Sequence, residues 1–113
     1  VDDEPVNLEV ARHLLEDVGF QVDTAQDGVD ALALANQCEY ALIFMDMQMP
    51  RMGGLEATRL MREQSKCRST PILAMTANAF IEDKALCFEA GMNDFTVKPI
   101  DPKELFSTML RWL

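Results

Sequence analysis

The stretch Tyr40-Ala41-Leu42-Ile43-Phe44-Met45-Asp46 decides the fold, because it is continuously apolar and then ends in a carboxylate. A strand that is buried on both faces shows no alternation of apolar and polar residues, and such strands occur in parallel sheets covered by helices. Two shorter apolar runs later in the chain also end in a polar residue, Pro71-Ile72-Leu73-Ala74-Met75 at Thr76 and Phe95-Thr96-Val97 at Lys98. The pattern therefore predicts three strands of a buried parallel sheet.

Helical segments separate these strands. An apolar residue recurs every four positions from Val6 to Val18, which predicts an amphipathic first helix closed by Gly19 in the C-cap position. Residues 20–25 alternate like a strand, and further helices are predicted over residues 29–36, 55–64, 81–90 and 101–113. Strands that alternate with helices through short loops predict an α/β domain, a doubly wound parallel sheet with helices on both faces.

The composition narrows the classes of function. The 113 residues are 49% hydrophobic and 26% charged, the balance of one globular domain, and the formal net charge is −9. An acidic chain without a basic cluster lacks the surface that phosphate backbones require, so we expect no direct nucleic-acid contact. No apolar run approaches the roughly 20 residues of a membrane span, so we expect no membrane contact by this domain. Three widely spaced cysteines support neither a disulfide framework nor a zinc site, and they favour a reducing, cytoplasmic location.

Polar side chains fall where the predicted strands end. Asp2-Asp3 precede the first helix, Asp46 ends the longest apolar run, and Thr76 and Lys98 end the next two runs. Ligands of an open parallel sheet bind outside the carboxyl ends of its strands, so these side chains are expected to converge. Carboxylates that converge repel one another unless they hold protons or bind a cation, and such hard oxygens suit Mg²⁺.

Thr76 and Lys98 add little to a metal site but suit a phosphoryl group, to which they would offer a hydrogen bond and a point charge. Asp46, on the most buried strand, is the natural nucleophile and would form an aspartyl phosphate. Taken singly, each residue has an ordinary explanation: Asp46 as a loop or capping carboxylate, Thr76 as a turn residue and Lys98 as a solvated charge. Their agreement in position favours the functional interpretation.

Five separated landmarks resemble the receiver domain of two-component response regulators in type, order and position at strand ends. They are Asp2-Asp3, Asp46-Met47-Gln48-Met49-Pro50, the following Gly53, Met75-Thr76-Ala77 and Lys98-Pro99. The resemblance covers essentially the whole chain. The strings Gly91-Met92-Asn93-Asp94, Lys98-Pro99-Ile100-Asp101 and Leu110-Arg111-Trp112-Leu113 are most similar to receivers of hybrid sensor histidine kinases.

The resemblance implies a flavodoxin-like sheet of five parallel strands in the order 2-1-3-4-5. A receiver has a full apolar strand before its acidic pair, at the centre of the sheet, and only Val1 stands there in this sequence. We therefore expect residues 1–113 to be a receiver domain that lacks most of its first strand, and we favour an upstream segment as the source of that strand. Without it, the core is expected to contain a slot.

The resemblance also implies a phosphorylation site and a metal site. Asp46 would accept a phosphoryl group from a phosphohistidine donor, which is a histidine kinase or a histidine phosphotransfer domain. Asp3 and Asp46 would bind Mg²⁺ directly, together with the main-chain carbonyl of Gln48, and Asp2 would hold the ion through water. The domain would catalyse its own phosphorylation and dephosphorylation without being a conventional enzyme, and its parent chain would be a hybrid histidine kinase.

A second group of residues is implied to bind the phosphoryl group and to switch. The Thr76 hydroxyl, the Ala77 backbone amide and Lys98 would bind the phosphoryl oxygens, so that Asp46, Thr76 and Lys98 act in catalysis. Phe95 would be the aromatic switch, and Lys98-Pro99 is expected to be a cis peptide bond. Phosphorylation would shift an equilibrium between two surface conformations and so control a partner or an output domain, and a homodimer through the last strand and helix is a further expectation.

Three alternative functions stay open at this point. A pure interaction module would share the fold and never take phosphate. A metal-dependent phosphatase that forms an aspartyl phosphate would have an Asp-x-Asp pattern, but Gln48 stands two residues after Asp46. A flavin-binding domain would have a phosphate loop rich in Ser, Thr and Gly after its first strand, where this chain has acidic residues.

Overall fold

Five helices and three strands form the described part of the chain, which comprises residues 1–47, 52–64, 67–76, 81–97 and 101–112 of this computed structural model. In chain order the elements are α1 (Pro5–Asp17), α2 (Gly28–Gln37), β1 (Ile43–Asp46), α3 (Gly54–Gln64), β2 (Ile72–Thr76), α4 (Ile81–Ala90), β3 (Asp94–Val97) and α5 (Pro102–Trp112). Helices and strands alternate from α2 onward, as the apolar pattern predicts. None of the described helices is both long and apolar enough to cross a membrane.

The sheet formed by the described strands is parallel, in the order β1-β2-β3. Ile43 of β1 pairs with Ile72 of β2, and Leu73 of β2 pairs with Asp94 of β3. The first four residues of β2 are all buried, so this strand has no solvent face. Helix α3 connects β1 to β2, and α4 connects β2 to β3. Both are the crossover connections that parallel strands require.

Side chains of β1 alternate between two hydrophobic clusters, one on each face of the sheet. Ile43 and Met45 pack in the larger cluster with residues of α2, α3 and α4, whereas Phe44 packs with Leu15 of α1 and Leu105 of α5. Because successive side chains of a strand point to opposite faces, α1 and α5 cover one face and the other three helices cover the opposite face. The predicted doubly wound α/β fold is confirmed.

The first two residues lie beside β1 and are held by backbone hydrogen bonds. The terminal nitrogen of Val1 donates to the carbonyl of Phe44 at 2.6 Å, and the N–H of Asp46 donates to the carbonyl of Val1 at 2.9 Å. On the other side, the N–H of Asp2 donates to the carbonyl of Ala25 at 3.1 Å. Val1 and Asp2 therefore lie between β1 and the segment that precedes α2.

Residues 20–25, for which the alternation predicts a strand, have no strand assignment in the structure. A strand needs a ladder to a neighbour, and on this side Asp2 supplies one backbone hydrogen bond, to Ala25. Two of its apolar residues are still drawn into the core, since Val22 packs against the Leu15 cluster and Ala25 belongs to the larger cluster. A cavity of about 180 Å³ lies between this segment and β1, where the slot is expected.

Arg62 of α3 joins three segments of backbone through its guanidinium group. It donates hydrogen bonds of 2.6 to 3.2 Å to five acceptors: the carbonyls of Cys67, Arg68, Thr70 and Gly91, and the Oδ1 of Asn93. Burial lowers the pKa of this guanidinium, which stays fully charged because arginine titrates far above neutral pH. The side chain therefore anchors α3 to the turns before β2 and after α4.

Asn93 closes the start of the β2–β3 ladder. Its N–H donates to the carbonyl of Ile72 at 2.8 Å, and its Oδ1 accepts the N–H of the same residue at 2.9 Å. The Oδ1 atom also accepts the bond from Arg62 at 2.7 Å. The side-chain amide thus acts as an extra backbone group and extends the pairing one position beyond the strand.

Candidate functional site

Three carboxylates meet at the carboxyl end of β1. An oxygen atom from each of Asp2, Asp3 and Asp46 lies within 4.8 Å of the other two. Asp2 and Asp46 are buried, with 1% and 4% of their surfaces exposed, whereas Asp3 is exposed. The structure therefore brings together three of the residues that the sequence pattern assigns to the site.

Asp2 is held by its own backbone and by the start of α1. Its N–H donates to the Ala25 carbonyl, and its Oδ1 accepts the N–H of Glu4 at 2.9 Å. Glu4 is the N-cap residue of α1 and makes no side-chain cap of its own, so Asp2 provides an acceptor at this helix end. A carboxylate at this position also interacts favourably with the helix dipole.

Asp46 is held by the strands beside it and by α3. Its N–H donates to Val1, and the N–H of the next residue, Met47, donates to the carbonyl of Met75 at 3.1 Å. Gly54 is the first residue of α3, and a Cβ at this position would overlap the carbonyl oxygen of Asp46. Only glycine permits so close an approach of helix and strand. The Gly53-Gly54 pair is visible in the sequence, but no sequence signal shows that the second glycine makes this contact.

Thr76 ends β2 at the same edge of the sheet. Asp46 pairs with Met75, so Thr76 stands one residue beyond the level of Asp46 on the adjacent strand. Adjacent strands lie about 4.8 Å apart, so Thr76 and Asp46 are close neighbours at the carboxyl edge, offset by one residue. Four predicted features lie outside the described residues: Gln48, Ala77, Lys98 and the cis bond Lys98-Pro99.

Phe95, the predicted switch residue, is half-buried on β3 and packs against the larger hydrophobic cluster. It pairs with Ala74 of β2, and its N–H donates to the Oδ1 of Asp94 at 2.8 Å. The other oxygen of Asp94 accepts the indole N–H of Trp112 at 3.0 Å. The strand that carries Phe95 is therefore tied to the C-terminal end of α5.

The carboxylate cluster has the chemistry and the dimensions of a site for a small, hard cation. Oxygens on opposite sides of an octahedral Mg²⁺ ion are about 4.2 Å apart, twice the usual Mg–O distance. The three carboxylate oxygens span no more than 4.8 Å. Three negative charges at this separation repel one another, and the net charge of −9 adds a field of the same sign. A divalent cation would relieve this repulsion.

Comparison with known families decides the identity of the domain. Residues 1–110 match the family model described as the response regulator receiver domain. The chain belongs to this family. The receiver domain is 45% identical over 111 residues to hybrid signal transduction histidine kinase L of Dictyostelium discoideum, a match that covers 93% of the chain and 6% of that protein. It is 39% identical over 112 residues to the histidine-protein kinase BarA of Shigella flexneri, which covers 99% of the chain and 12% of BarA.

Solved receiver structures have the same architecture. The chemotaxis protein CheY4 of Vibrio cholerae superposes with a TM-score of 0.94 at 37% identity, covering 99% of the receiver domain and 93% of CheY4. The receiver domain of the sensor histidine kinase PA1611 of Pseudomonas aeruginosa superposes with a TM-score of 0.91 at 40% identity, covering 99% and 92% of the two chains. That neighbour carries a magnesium ion in its active-site cleft.

The comparisons confirm the predicted family and the predicted class of function. The chain is a receiver domain of the two-component type, similar to receivers of phosphorelay kinases, and accepting a phosphoryl group is the general function of this family. Its relatives include histidine kinases, and the receiver domain spans 6% and 12% of their length in the two examples above. Membership in this family separates the domain from flavin-binding proteins of similar topology and from the metal-dependent phosphatases.

Proposed function

We propose that Asp46 is the phosphoacceptor of this receiver domain and that its donor is a phosphohistidine on a histidine kinase or a histidine phosphotransfer domain. The observation that carries the proposal is the meeting of Asp2, Asp3 and Asp46 at the end of β1. Of these three, Asp46 alone belongs to a strand, so its backbone is the most firmly positioned for in-line attack. In the transfer, an Asp46 oxygen bonds to phosphorus while the N–P bond breaks, which leaves an acyl phosphate on the receiver and a free imidazole on the donor.

Asp3 and Asp46 would bind Mg²⁺ directly, with the main-chain carbonyl of Gln48, and Asp2 would act through water. The contacts of Asp2 support this division. One oxygen of Asp2 already accepts the N–H of Glu4 and the residue is buried, whereas Asp3 is exposed and has more freedom to close on an ion. The bound cation would neutralise charge that otherwise repels the incoming phosphoryl group.

The Thr76 hydroxyl, the Ala77 amide and the Lys98 ammonium would bind the phosphoryl oxygens, so that Asp46, Thr76 and Lys98 form the catalytic set. Thr76 is the last residue of β2, and Lys98 follows directly after β3, which ends at Val97. Donors held at the ends of buried strands can stabilise the charge of the transition state without reorganising. The domain would in this way speed both its own phosphorylation and the later hydrolysis by water.

Phosphorylation would be read at the surface formed by α4, β3 and α5, where Phe95 is the switch. Three large apolar side chains are exposed there: Leu86 and Phe88 on α4, and Leu110 on α5, which is 79% exposed. Apolar side chains that a monomer leaves in water are covered at low cost by a partner. An output domain, a partner protein or a second copy of the receiver in the cytoplasm would therefore bind this surface in one of the two conformations.

Intact-mass measurement after incubation with acetyl phosphate and Mg²⁺ tests the proposal. We expect one added phosphoryl group that requires Mg²⁺ and is absent from Asp46→Asn. Asp27→Asn is the matched control, because Asp27 is also a buried carboxylate but caps α2, a task that asparagine performs equally well. The control should be labelled like the original chain.

The alternative of a pure interaction module makes the opposite prediction. A folded chain that gains no phosphoryl mass under any condition, including when apolar residues are added before Val1, would favour that alternative. Phosphorylation of Asp46→Asn to the same extent as the original chain would place the acceptor at a different residue and would contradict the assignment of Asp46.

A further inference from the structure

The sulfur atoms of Met47 and Cys87 are in direct contact. The thiol of Cys87 donates a hydrogen bond to the Sδ of Met47 over 3.3 Å, although the two residues are 40 positions apart in the chain. Cys87 is 3% exposed and Met47 is half-buried, and both pack in the larger hydrophobic cluster. The contact joins α4 to the residue that directly follows Asp46.

The backbone of Met47 is already held on both sides. Its N–H donates to the carbonyl of Met75 at 3.1 Å, and its carbonyl accepts the N–H of Gly54 at 3.4 Å. These bonds restrain the main chain, but a methionine side chain has three rotatable bonds and adapts to whatever surrounds it. A thiol is a weak donor and a thioether is a weak acceptor, so the bond from Cys87 mainly fixes where the end of this side chain lies.

Cys87 faces the core on a helix whose adjacent side chains face outward. Leu86 and Phe88 are 43% and 50% exposed, and they belong to the apolar surface where a partner is proposed to bind. The short side chain of Cys87 follows the backbone of α4 closely, so a displacement of α4 would change the distance between the two sulfur atoms. The segment after Asp46 and the exposed surface of α4 are therefore joined by this contact.

We propose that Cys87 is a positioning residue of the phosphorylation site, and that it acts through Met47 to hold Asp46 in place for attack on the phosphoryl group. The inference rests on the proposed role of Asp46 as phosphoacceptor. A closely packed interior transmits strain, so a Met47 side chain that repacks also shifts the main chain beside it. Asp46 is the first residue that such a shift would reach.

The expected effect is on rate, because transfer requires the attacking oxygen and the phosphorus atom to be well aligned. A misplacement of about 1 Å can slow an enzymatic reaction roughly 100-fold. The repacking of one methionine is a smaller disturbance, and we expect it to slow labelling by acetyl phosphate roughly tenfold. The rate is measured as the time course of the added phosphoryl mass at a saturating Mg²⁺ concentration, and the thermal midpoint is measured on the same samples.

Two substitutions at Cys87 separate positioning from stability. Cys87→Ala removes the donor and leaves an apolar side chain in an apolar cluster, whereas Cys87→Ser keeps a donor but buries a hydroxyl, which is costly there. We expect the serine variant to be labelled faster than the alanine variant although its thermal midpoint is no higher. A merely structural role would instead make the rate follow the midpoint.

Met47→Leu removes the sulfur acceptor while conserving most of the apolar volume. It should slow labelling about as much as Cys87→Ala. The double variant should be no slower than either single variant, because both changes break the same contact and their effects are then not additive.

Cys67→Ala is the matched control. Cys67 is also a buried thiol of the larger cluster, but its Sγ lies against the carbonyls of Cys38 and Ala35, at 3.5 and 3.9 Å. We expect this variant to lose stability and to be labelled at the rate of the original chain.

The failures of this proposal and of the proposed function are distinguishable. If the original chain is labelled at Asp46 and Cys87→Ala is labelled equally fast, the role of Cys87 is wrong and the phosphoacceptor stands. Equal slowing by Cys67→Ala, or a double variant whose loss is the product of the two single losses, would also overturn the positioning role. If the original chain takes no phosphoryl group, the proposed function fails, and the role of Cys87 fails with it.

Discussion

Gly54 and Asp46 are in backbone contact: a Cβ on Gly54 would overlap the carbonyl oxygen of Asp46 and would come within 3.1 Å of the Cγ of Met45. The first residue of α3 therefore limits where the last residue of β1 can lie. The N–H of Gly54 also donates to the carbonyl of Met47 at 3.4 Å, immediately after that strand. Helix α3 thus positions the carboxylate cluster without contributing a carboxylate to it.

Gly54→Ala is expected to lower the free energy of unfolding by about 1 to 3 kcal/mol, the usual range for overpacking a well-packed site. The new methyl group would meet backbone atoms, which cannot rotate away as a side chain can. Because the displaced atoms belong to Asp46, labelling by acetyl phosphate should slow as well. Urea unfolding and the time course of the added phosphoryl mass measure the two effects.

Gly53→Ala is the matched control for this prediction. A Cβ on Gly53 would lie 3.7 Å from the carbonyl of Met47, which is an ordinary van der Waals contact. We expect a change of no more than about 0.5 kcal/mol in unfolding free energy, as for an ordinary surface substitution. If both variants lost stability equally, the contact between Gly54 and Asp46 would not be the cause.

Arg62→Met should destabilise the fold by about 3 kcal/mol, because it leaves several carbonyl acceptors without their charged donor. Arg62→Lys should recover only a small part of this loss, since a single ammonium cannot reproduce the planar fork of donors. Arg59→Met on the same helix is exposed and should change little. Chemical denaturation of the three variants measures the differences. An Arg62→Lys variant as stable as the original chain would show that the several hydrogen bonds of the guanidinium do not stabilise the fold.

Asp3→Asn is expected to weaken Mg²⁺ binding and to stabilise the metal-free chain, because it removes one of three charges that repel within 4.8 Å. In the original chain, Mg²⁺ at 100 times its dissociation constant should stabilise the fold by about 2.7 kcal/mol, and most of this gain should disappear in the variant. The thermal midpoint at increasing Mg²⁺ concentration measures both effects.

Glu4→Gln provides the control for the loss of one charge near the site. Glu4 is exposed, makes no side-chain cap and stands next to the cluster in sequence. We expect it to retain the response to Mg²⁺. A loss as large as that of Asp3→Asn would show that the general field of the acidic chain, and not ligation by Asp3, attracts the cation.

Tyr40 is the single tyrosine of the chain, so its titration can be followed by the ultraviolet absorbance of the phenolate. Burial, and then the 2.6 Å hydrogen bond from its hydroxyl to Asp23, raises the pKa of Tyr40 well above its ordinary value of 10.0. A raised pKa favours the neutral phenol in the folded state, so this contribution to stability is complete below pH 10.0 and is lost as the pH rises toward the folded-state pKa. Asp23→Asn should lower the pKa of Tyr40, and an unchanged titration would contradict the role of this bond.

The apolar run before Asp46 carries most of the information about the fold. Its length and its lack of alternation predict a strand covered on both faces, and the alternate packing of Phe44 and Met45 into two clusters is that arrangement. The convergence of Asp2, Asp3 and Asp46 follows from the same topology, because parallel strands end at one edge. These features depend on the chemical type of consecutive residues, which a sequence displays directly.

Contacts between side chains and distant backbone could not be predicted in the same way. Arg62 and Gly91 are 29 positions apart, and no periodicity distinguishes Arg62 from the exposed Arg59 on the same helix. Residues 20–25 show the opposite case, in which a correct alternation did not produce a strand. Pairing depends on a neighbour as well as on the segment itself, and among the described residues it is Asp2 that bonds to this segment, at Ala25.

The hydrogen bonds of Asn93 restrict insertions between α4 and β3. The Asn93 N–H donates to the Ile72 carbonyl, and the Asn93 Oδ1 accepts the Ile72 N–H. The residue opposite the start of β2 must therefore carry a side-chain acceptor as well as lie at the right place. An insertion between α4 and β3 could not be accommodated by a shift in the register of β3. A shift of one position would break both hydrogen bonds between Asn93 and Ile72 and turn every side chain of β3 to the other face. An insertion in the turn at Gly91 is therefore expected to be tolerated only where it loops out and leaves Asn93 opposite Ile72, and otherwise to weaken the pairing of β3, the edge strand of the described sheet.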